Sequence, residues 1–418
     1  MYSQVLAGAA AVPAVHQSAW LQVRHLIPIG VVGLISWSVW LSRFTLSRLY
    51  RPTPPGYTCT TSVVVPSFRE DPAILDRCLN SWLAERPTEV IVVPDLADVD
   101  VIMLLRERAA TEARLHVVPF AHQGKRSALG VGIRRARAEV LVLADSDTEW
   151  EPGLLAAVQA PFANPKVGGV GTRQSVYLPQ TSVWRRVASW MIDVRYLDYV
   201  PSQSRGGAVA CLSGRTVAYR RNVVMPVLEH LEDEFFLGRR CVSGDDGRLT
   251  WLVLASGYKT VYQSTARAVS MFPDTGRAFI KQRLRWSRNS YRCYLTAIWK
   301  GWLWRRPFMC QLTVLQVMLT PVTMGFAITY LGAWLWQPQR YIAAIAVGWL
   351  LAGRTVRGVS HLRQRPSDIW VLPLVEIMTI IVALPLKVYA FLTMNVHGWL
   401  TRSDDMVGGE AQSASSLA

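Results

Sequence analysis

The sequence contains few acidic residues, no Cys-x-x-Cys pair, no internal repeats and no low-complexity tract. Its 29 Asp and Glu are outnumbered by 45 Lys and Arg, which gives the 418-residue chain a formal charge of +16. Such an excess favours an anionic partner, which is nucleic acid, a nucleotide or the inner face of a membrane. Six irregularly spaced cysteines argue against a disulfide framework or a zinc site and favour reduced thiols in a cytoplasmic setting.

Hydrophobic residues make up 51% of the chain, and 17 of the residues are tryptophan. This composition excludes a disordered protein and favours a membrane over nucleic acid as the anionic partner. No recognised nucleic-acid-binding module accompanies the positive charge, so we expect no nucleic-acid partner.

Apolar runs near both ends of the chain predict membrane helices. The runs are 26–41, 311–336, 341–351 and 369–386. Arg43, Arg48 and Arg51 follow the first run, which places the next part of the chain in the cytoplasm. The basic segment 354–365 is also expected on the cytoplasmic side. A buried core helix is the alternative for the first run, and the lack of a preceding basic region argues against a signal peptide.

Between these runs, short β-branched stretches alternate with helical patterns, which predicts an α/β domain with a mostly parallel sheet. The predicted strands are 62–67, 89–95, 114–120 and 139–145. Asp71 and Pro72 are a typical helix start, an N-cap followed by proline at the first helical position.

These patterns divide the chain into five predicted parts. They are an N-terminal segment with one membrane helix (1–52), a cytoplasmic α/β domain (53–276), amphipathic interfacial helices (277–306), about three C-terminal membrane helices (307–402) and a disordered tail (403–418).

Asp145 ends the predicted strand 139–145, and Asp147 lies two residues further on. Ligands collect at the carboxyl ends of parallel strands, and two carboxylates there are suited to Mg²⁺ or Mn²⁺ with phosphate oxygens as further ligands. A solvated turn after a strand is the alternative interpretation of this pair.

Two further motifs contain candidate catalytic or ligand-binding residues. Asp245 and Asp246 begin a predicted helix in SGDDGRLT, where helix capping alone would also explain two carboxylates. Gln282 and Arg285 share a helix face in KQRLRWSRNS, next to Trp286. Arginine can bind phosphate with two parallel hydrogen bonds, although a basic interfacial helix would show the same pattern.

The order of these motifs resembles the processive, membrane-embedded family 2 glycosyltransferases, in particular the hyaluronan synthase and chitin or chitooligosaccharide synthase branch. The resemblance rests on VVVPSFRE, an Asp ending the second strand, GKR (124–126), DSD, CLSGR (211–215), GDD and QRLRW. It covers residues 60–402 and implies a GT-A fold fused to transmembrane helices.

The resemblance also implies a role for each motif residue. Asp246 would be the catalytic base, supported by Asp245, and Asp145 and Asp147 would hold the metal, Mg²⁺ or Mn²⁺. The nucleotide-sugar would contact Pro66, Asp95, Lys125, Asp145, Gln282, Arg285 and Trp286. The acceptor would contact Ser213, Gly214, Asp246 and Trp286.

The sequence departs from the family pattern at two positions. It reads VVPDLADVD (92–100) where relatives usually have an Asp-Asp-Gly-Ser run, which affects the region expected to recognise the base. It has Arg215 where hyaluronan and chitin synthases commonly have proline, which would alter the acceptor pocket.

The function expected from the resemblance is an inverting transfer from a UDP-sugar to a growing β-linked polysaccharide or oligosaccharide, coupled to translocation across the cell membrane. Four helices can enclose only a narrow passage for the product, so the predicted helices are compatible with a homo-oligomer or a short product. Basic residues at 185, 186, 277, 281, 288 and 292 are expected against anionic lipid headgroups. The alternatives are transfer of a single sugar to a polyprenyl phosphate and a catalytically inactive nucleotide-sugar-binding membrane protein.

Overall fold

The computed structural model describes residues 31–121, 123–335 and 341–396, and the predicted tail, 403–418, lies outside them. Its ten strands are β1 (Thr61–Ser67), β2 (Glu89–Pro94), β3 (Leu115–Val117), β4 (Val140–Ala144), β5 (Thr148–Trp150), β6 (Val167–Val176), β7 (Thr216–Arg220), β8 (Phe235–Phe236), β9 (Arg239–Arg240) and β10 (Lys259–Ser270). Eight of them form one sheet in the order β3-β2-β1-β4-β7-β6-β10-β5, and β8 pairs with β9.

The four strands predicted from β-branched runs form one parallel half of this sheet, β3-β2-β1-β4. β1 and β2 are buried along their whole length, as expected for parallel strands covered on both faces. β3 is shorter than the predicted 114–120. In the other half, β7 runs antiparallel to both β4 and β6, so the sheet is mixed.

The α-helices described are α1 (Val31–Leu49), α2 (Pro72–Ala84), α3 (Val99–Thr111), α4 (Lys125–Arg135), α5 (Leu154–Gln159), α6 (Val183–Val194), α7 (Val200–Arg205), α8 (Arg221–Val224), α9 (Leu228–Glu232), α10 (Asp245–Ala255), α11 (Gly276–Trp299), α12 (Phe308–Leu335), α13 (Tyr341–Arg357), α14 (Val359–Leu362), α15 (Leu372–Glu376) and α16 (Ala383–Leu392). π-helical turns join α6 to α7 and α15 to α16. The predicted start of α2 is confirmed, because the Asp71 carboxylate accepts a hydrogen bond from the backbone N–H of Ala73.

Two apolar cores lie on opposite faces of the sheet. Successive side chains of a strand point to opposite faces. Val63 of β1 therefore joins Leu75 and Trp82 of α2 in one core, while Val64 joins Leu129 of α4 in the other. The helix α4 connects β3 to β4, which run parallel in the sheet, so the N-terminus of α4 lies at the carboxyl edge of the sheet.

Two helical stretches of the described residues are long and apolar enough to cross a membrane. They are Phe308–Phe326 and Pro366–Leu392, and only 17% and 28% of their apolar windows are buried inside the protein. The described helices Val31–Leu49 and Tyr341–Arg357 do not meet the same measure. Two of the four predicted spans are therefore supported by length and composition, and residues 26–30 of the first predicted span lie outside the described residues.

Several arginines expected against lipid headgroups instead make contacts inside the protein. Arg288 and Arg292 are only 5% and 3% exposed. Arg288 donates to the Thr393 hydroxyl at 2.9 Å, and Arg292 donates to the carbonyl of Met394 at 2.6 Å. Arg186 forms an ion pair with Asp368 at 2.8 Å. These arginines connect the α/β domain and the helix α11 to the C-terminal part of the chain. Periodicity along one helix does not reveal such contacts.

The basic segment 354–365 docks onto the α/β domain through a buried polar network. His361 is fully buried, and its ring nitrogens lie 2.8 Å from Asp193 of α6 and 3.1 Å from Asp368. The Trp190 ring packs against His361 with a centroid separation of 4.8 Å. A Cβ atom on Gly358 would meet Trp190 at 2.4 Å, so only glycine fits at this contact.

Replacing His361 with alanine is expected to destabilise the protein strongly, on the order of 3 kcal/mol, because Asp193 and Asp368 stay buried and lose a partner. Thermal denaturation of the purified protein in detergent measures the effect. His116→Ala is the matched control, because the His116 side chain is 45% exposed. Equal destabilisation by the two substitutions would contradict this account of the docking.

Candidate active site

The DSD motif lies at the carboxyl end of β4, as predicted. The backbone N–H of Asp145 donates to the carbonyl of Arg215 at 3.0 Å, which continues the pairing of Ala144 with Thr216 between β4 and β7. Asp147 lies two residues further on, and its carbonyl accepts from the N–H of Met271 at 3.4 Å. The CLSGR segment therefore runs alongside the two carboxylates.

Lys125, the first residue of α4, connects two motifs that are 100 residues apart in sequence. Its Nζ lies 2.7 Å from Asp145 Oδ1 and 3.0 Å from Asp245 Oδ2. Burial lowers the pKa of Lys125, but the attraction of Asp145 and Asp245 outweighs burial and leaves the pKa raised. The lysine is therefore a fixed positive charge between the DSD and GDD motifs.

The GDD motif forms the first turn of α10. Gly244 has a φ of +81°, which favours glycine and turns the chain into the helix. Asp245 and Asp246 follow at the N-terminus, where the helix dipole favours negative charge. A Cβ atom on Gly214 would lie 3.2 Å from both Asp245 Oδ2 and Asp246 Cβ, so the backbone of CLSGR closely approaches this turn.

The two adjacent carboxylates have opposite pKa shifts. Burial raises the pKa of Asp245, but the attraction of Lys125 outweighs burial and the net shift is downward. The pKa of Asp246 is raised by burial and by the neighbouring charge of Asp245. Asp245 is therefore held as a carboxylate beside Lys125, while Asp246 is the carboxylate with the higher affinity for a proton, as a general base requires.

Arg126 positions the GDD turn, a role that was not predicted from the sequence. It donates to the carbonyls of Ser243 at 2.9 Å and Gly244 at 3.1 Å. It also forms a buried ion pair with Glu234 at 2.7 Å. Its position in GKR, directly after Lys125, was the only signal in the sequence.

A pocket with an empty volume of about 330 Å³ opens at the carboxyl ends of β1 and β2. Pro66, Asp95 and Lys125, all predicted to contact the nucleotide-sugar, line this pocket. Asp95 is largely buried, and its Oδ1 accepts from the N–H of Ala97 at 2.8 Å. This turn at the end of β2 forms without the Asp-Asp-Gly-Ser run of relatives. Lys125 lines the pocket and also contacts Asp145, so the pocket adjoins the carboxylate cluster.

The QRLRW motif of α11 closes the site from the side of the C-terminal helices. Arg285 interacts electrostatically with Asp145, Asp245 and Asp246, although burial leaves its pKa lowered. The Trp286 ring lies at the edge of the Phe272 ring, with centroids 6.3 Å apart. Gln282 is 6% exposed, and its Oε1 has no hydrogen-bond partner within the described residues.

Arg215 links the DSD motif to Trp286. Its guanidinium lies 4.0 Å from the Phe272 ring centroid and 5.0 Å from that of Trp286. It also interacts electrostatically with Asp145 and Asp147. The three separated motifs thus converge on one region. Ser213, the remaining predicted acceptor contact, precedes Gly214 in the same segment.

The residues at the end of β4 fit a metal ion that takes some of its ligands from the protein and the others from a substrate and water. Among the described residues, no group of three or more His, Cys, Asp or Glu side chains could hold a metal ion alone. Mg²⁺ and Mn²⁺ in phosphate-binding sites commonly take one or two carboxylates and complete their shell with phosphate oxygens and water. Asp145 and Asp147 would supply those carboxylates. Asp145 also forms an ion pair with Lys125 at 2.7 Å.

The sheet order, the acidic turn after β4 and the GDD helix define a GT-A-like glycosyltransferase fold. The family model described as "Glycosyltransferase like family 2" matches residues 55–289, more than half of the chain, and the protein belongs to this family.

The chain is similar to proteins of known name over most of its length. It is 28% identical to a hyaluronan synthase of Streptococcus pyogenes serotype M3, covering 90% of this chain and 91% of that protein. It is 28% identical to an N-acetylglucosaminyltransferase of Sinorhizobium fredii, covering 84% and 86%. A solved mannosyltransferase from Pyrobaculum calidifontis, in complex with GDP-Man and Mn²⁺, has a TM-score of 0.60 at 20% identity, covering 85% and 95%.

Proposed function

We propose that this protein is a membrane-integrated inverting glycosyltransferase that transfers sugar from a UDP-sugar to a growing β-linked polysaccharide or oligosaccharide. The contact of Lys125 with both Asp145 and Asp245 carries the proposal, because it joins the metal-binding carboxylates to the catalytic turn at the edge of the nucleotide pocket. The similarity to a hyaluronan synthase and an N-acetylglucosaminyltransferase supports a UDP-sugar donor.

In the proposed reaction, the acceptor hydroxyl attacks the anomeric carbon of the donor as the bond to the diphosphate breaks. Asp246 takes the proton from the attacking hydroxyl, and Asp245 and Lys125 fix the turn that positions it. Arg285 binds the diphosphate oxygens. A bound Mg²⁺ or Mn²⁺ on Asp145 and Asp147 would neutralise charge that develops on the leaving group. A single displacement inverts the anomeric centre, so an α-linked donor gives a β-linked product.

The C-terminal helices support the proposed membrane location. In the proposal, the catalytic domain lies in the cytoplasm. The two candidate spans expose large apolar side chains, including Phe326 at 68% and Ile381 at 60%. Trp299 and Trp304, close to the start of α12, are 85% and 53% exposed, as is typical of side chains at a membrane interface. In the proposed topology, the N-terminal helix and the helix from Tyr341 join these spans in a multi-pass arrangement.

Product analysis of the purified full-length protein tests this function. We expect UDP release from at least one common UDP-sugar in the presence of Mg²⁺ or Mn²⁺, with an oligosaccharide or polysaccharide as the product. A single sugar recovered in a lipid extract would instead support transfer to a polyprenyl phosphate. Absence of turnover with every common UDP-sugar and both metals would favour a nucleotide-sugar-binding protein without activity.

A further inference from the structure

Two neighbouring residues of the short helix α14 hold two carboxylates in the region that joins α6 to α7. Ser360 donates to Asp198 Oδ1 at 2.7 Å, and Nδ1 of His361 lies 2.8 Å from Asp193 Oδ2. All four residues are buried. Asp193 belongs to the last turn of α6, and Asp198 belongs to the π-helical turn Arg195–Tyr199 that follows it. We call Ser360 and His361 the clamp.

The π-helical turn explains why both carboxylates face α14. Backbone hydrogen bonds in a π-helix join residues five apart, which brings Asp193 and Asp198 towards one side of the turn. Side chains two residues apart on a helix do not face each other, so Arg195 leaves the turn on a different side from Asp193. Its guanidinium donates to the carbonyl of Cys211 at 3.1 Å. The π-helical turn therefore lies between the clamp and the CLSGR segment.

The CLSGR segment in turn contacts the helix that carries the proposed base. The N–H of Leu212 donates to the Thr250 hydroxyl at 3.1 Å, and that hydroxyl donates to the carbonyl of Asp246 at 2.7 Å. Thr250 is fully buried. Hydrogen bonds and short backbone segments thus connect the clamp to Asp246 through the π-helical turn and CLSGR, and such contiguous networks can carry coupling between distant residues.

We propose that Ser360 and His361 are positioning residues for sugar transfer. They hold the π-helical turn in the place from which Arg195 keeps the CLSGR segment against Asp246. The inference rests on the proposed function, because that function makes Asp246 the base. It gives the segment after α13 a role beyond attaching the C-terminal helices, since transfer then requires these helices to be docked on the α/β domain.

The charge of Arg195 provides a specific readout of this arrangement. Burial and Asp245 raise the pKa of Asp246, whereas Lys125, the N–H of Gly247 and Arg195 lower it. If Arg195 moves away, the pKa of Asp246 rises further, and Asp246 takes up a proton at a higher pH as the pH falls. The other titratable groups that interact with Asp246 are Arg285, Cys211, Tyr219 and Cys293. None of these groups lies on the π-helical turn.

Two substitutions of His361 separate the contacts of its two ring nitrogens. Asparagine places its amide nitrogen near the position of Nδ1, which faces Asp193, whereas the longer glutamine reaches the position of Nε2, which faces Asp368. Each variant leaves one buried carboxylate without its imidazole partner, so both are expected to lose stability. They differ in whether the contact with the end of α6 remains.

Kinetics of the purified full-length variants test the clamp, with kcat expressed per UDP-binding site from calorimetry with UDP and Mn²⁺. For His361→Gln we expect kcat to fall at least about tenfold, because a misplacement of about 1 Å can cost about a hundredfold in rate. Its kcat/KM should also begin to fall at a higher pH on the acidic side than that of the wild type. His361→Asn should keep the wild-type acidic side, and UDP affinity should stay unchanged in both variants.

Ser360→Ala is a milder second variant, which removes the hydrogen bond to Asp198 and should move the acidic side in the same direction. Ser47→Ala is its control, because Ser47 is a buried serine of α1 that donates within its own helix at 2.7 Å. A wild-type pH profile in both His361→Gln and Ser360→Ala would overturn the proposal, and so would equal changes in His361→Gln and His361→Asn. If His361→Gln does not fold, the comparison of Ser360→Ala with Ser47→Ala decides.

Hydrogen exchange separates this inference from the proposed function, because it needs no turnover. We expect the backbone amides of 195–199 and 211–215 to exchange faster in His361→Gln than in His361→Asn. If no UDP-sugar is turned over but this difference is found, the clamp stands and the proposed function fails. If sugar is transferred and neither exchange nor the pH profile differs between the two variants, the function stands and the clamp is refuted.

Discussion

Asp246→Asn is expected to leave UDP-sugar binding nearly unchanged and to lower turnover by at least about a hundredfold, the usual contribution of a general base. Asparagine keeps the size of the side chain but cannot take the proton from the acceptor hydroxyl. Turnover is measured as UDP release, and donor binding is measured by calorimetry with UDP and metal.

Asp233→Asn is the matched control, because Asp233 is an exposed carboxylate before the same turn and pairs with Arg240 at 2.9 Å. It should retain wild-type turnover.

The pH dependence supplies a second readout. Burial and the charge of Asp245 raise the pKa of Asp246. As the pH falls, Asp246 therefore takes up a proton at a higher pH than an ordinary aspartate does. On the acidic side, kcat/KM should therefore begin to fall at a higher pH than it would for an ordinary aspartate. Wild-type turnover by Asp246→Asn would disprove the base assignment.

Asp147→Asn is expected to weaken metal-dependent donor binding by more than about tenfold, since even residues that merely orient metal ligands contribute 10- to 100-fold to metal affinity. The neutral amide is a poorer ligand for Mg²⁺ or Mn²⁺ and leaves more of the diphosphate charge uncompensated. Titration of UDP binding with Mn²⁺ measures the change, and the apparent metal affinity should fall while binding without metal changes little.

Glu149→Gln is the control for this substitution. Glu149 lies two residues further along the chain and pairs with Arg77 at 3.3 Å, outside the proposed metal site. It removes one negative charge at a similar position, so a general electrostatic effect would weaken metal dependence in both variants. Equal losses in Asp147→Asn and Glu149→Gln would therefore refute a ligand role for Asp147.

Local patterns predicted the elements that carry the site, because those patterns act over a few residues. The β-branched runs at 62–67 and 139–145 became buried parallel strands, and the acidic turn after β4 followed from where that strand ends. Asp71 capped α2 as its sequence context indicated. The basic face of α11 had two explanations, contact with lipid and contact with protein. The periodicity of its residues did not distinguish between them.

The sequence by itself determined the strands of the parallel half-sheet and the order of the motifs, because these depend on short-range patterning. Its family motifs predicted that Asp145, Asp246 and Trp286 share one site. Only the tertiary structure decided that Lys125 bridges Asp145 and Asp245 and that Arg126 holds the GDD turn. These features depend on contacts between residues far apart in the chain, and such contacts are set by how the helices pack on the sheet rather than by any one segment.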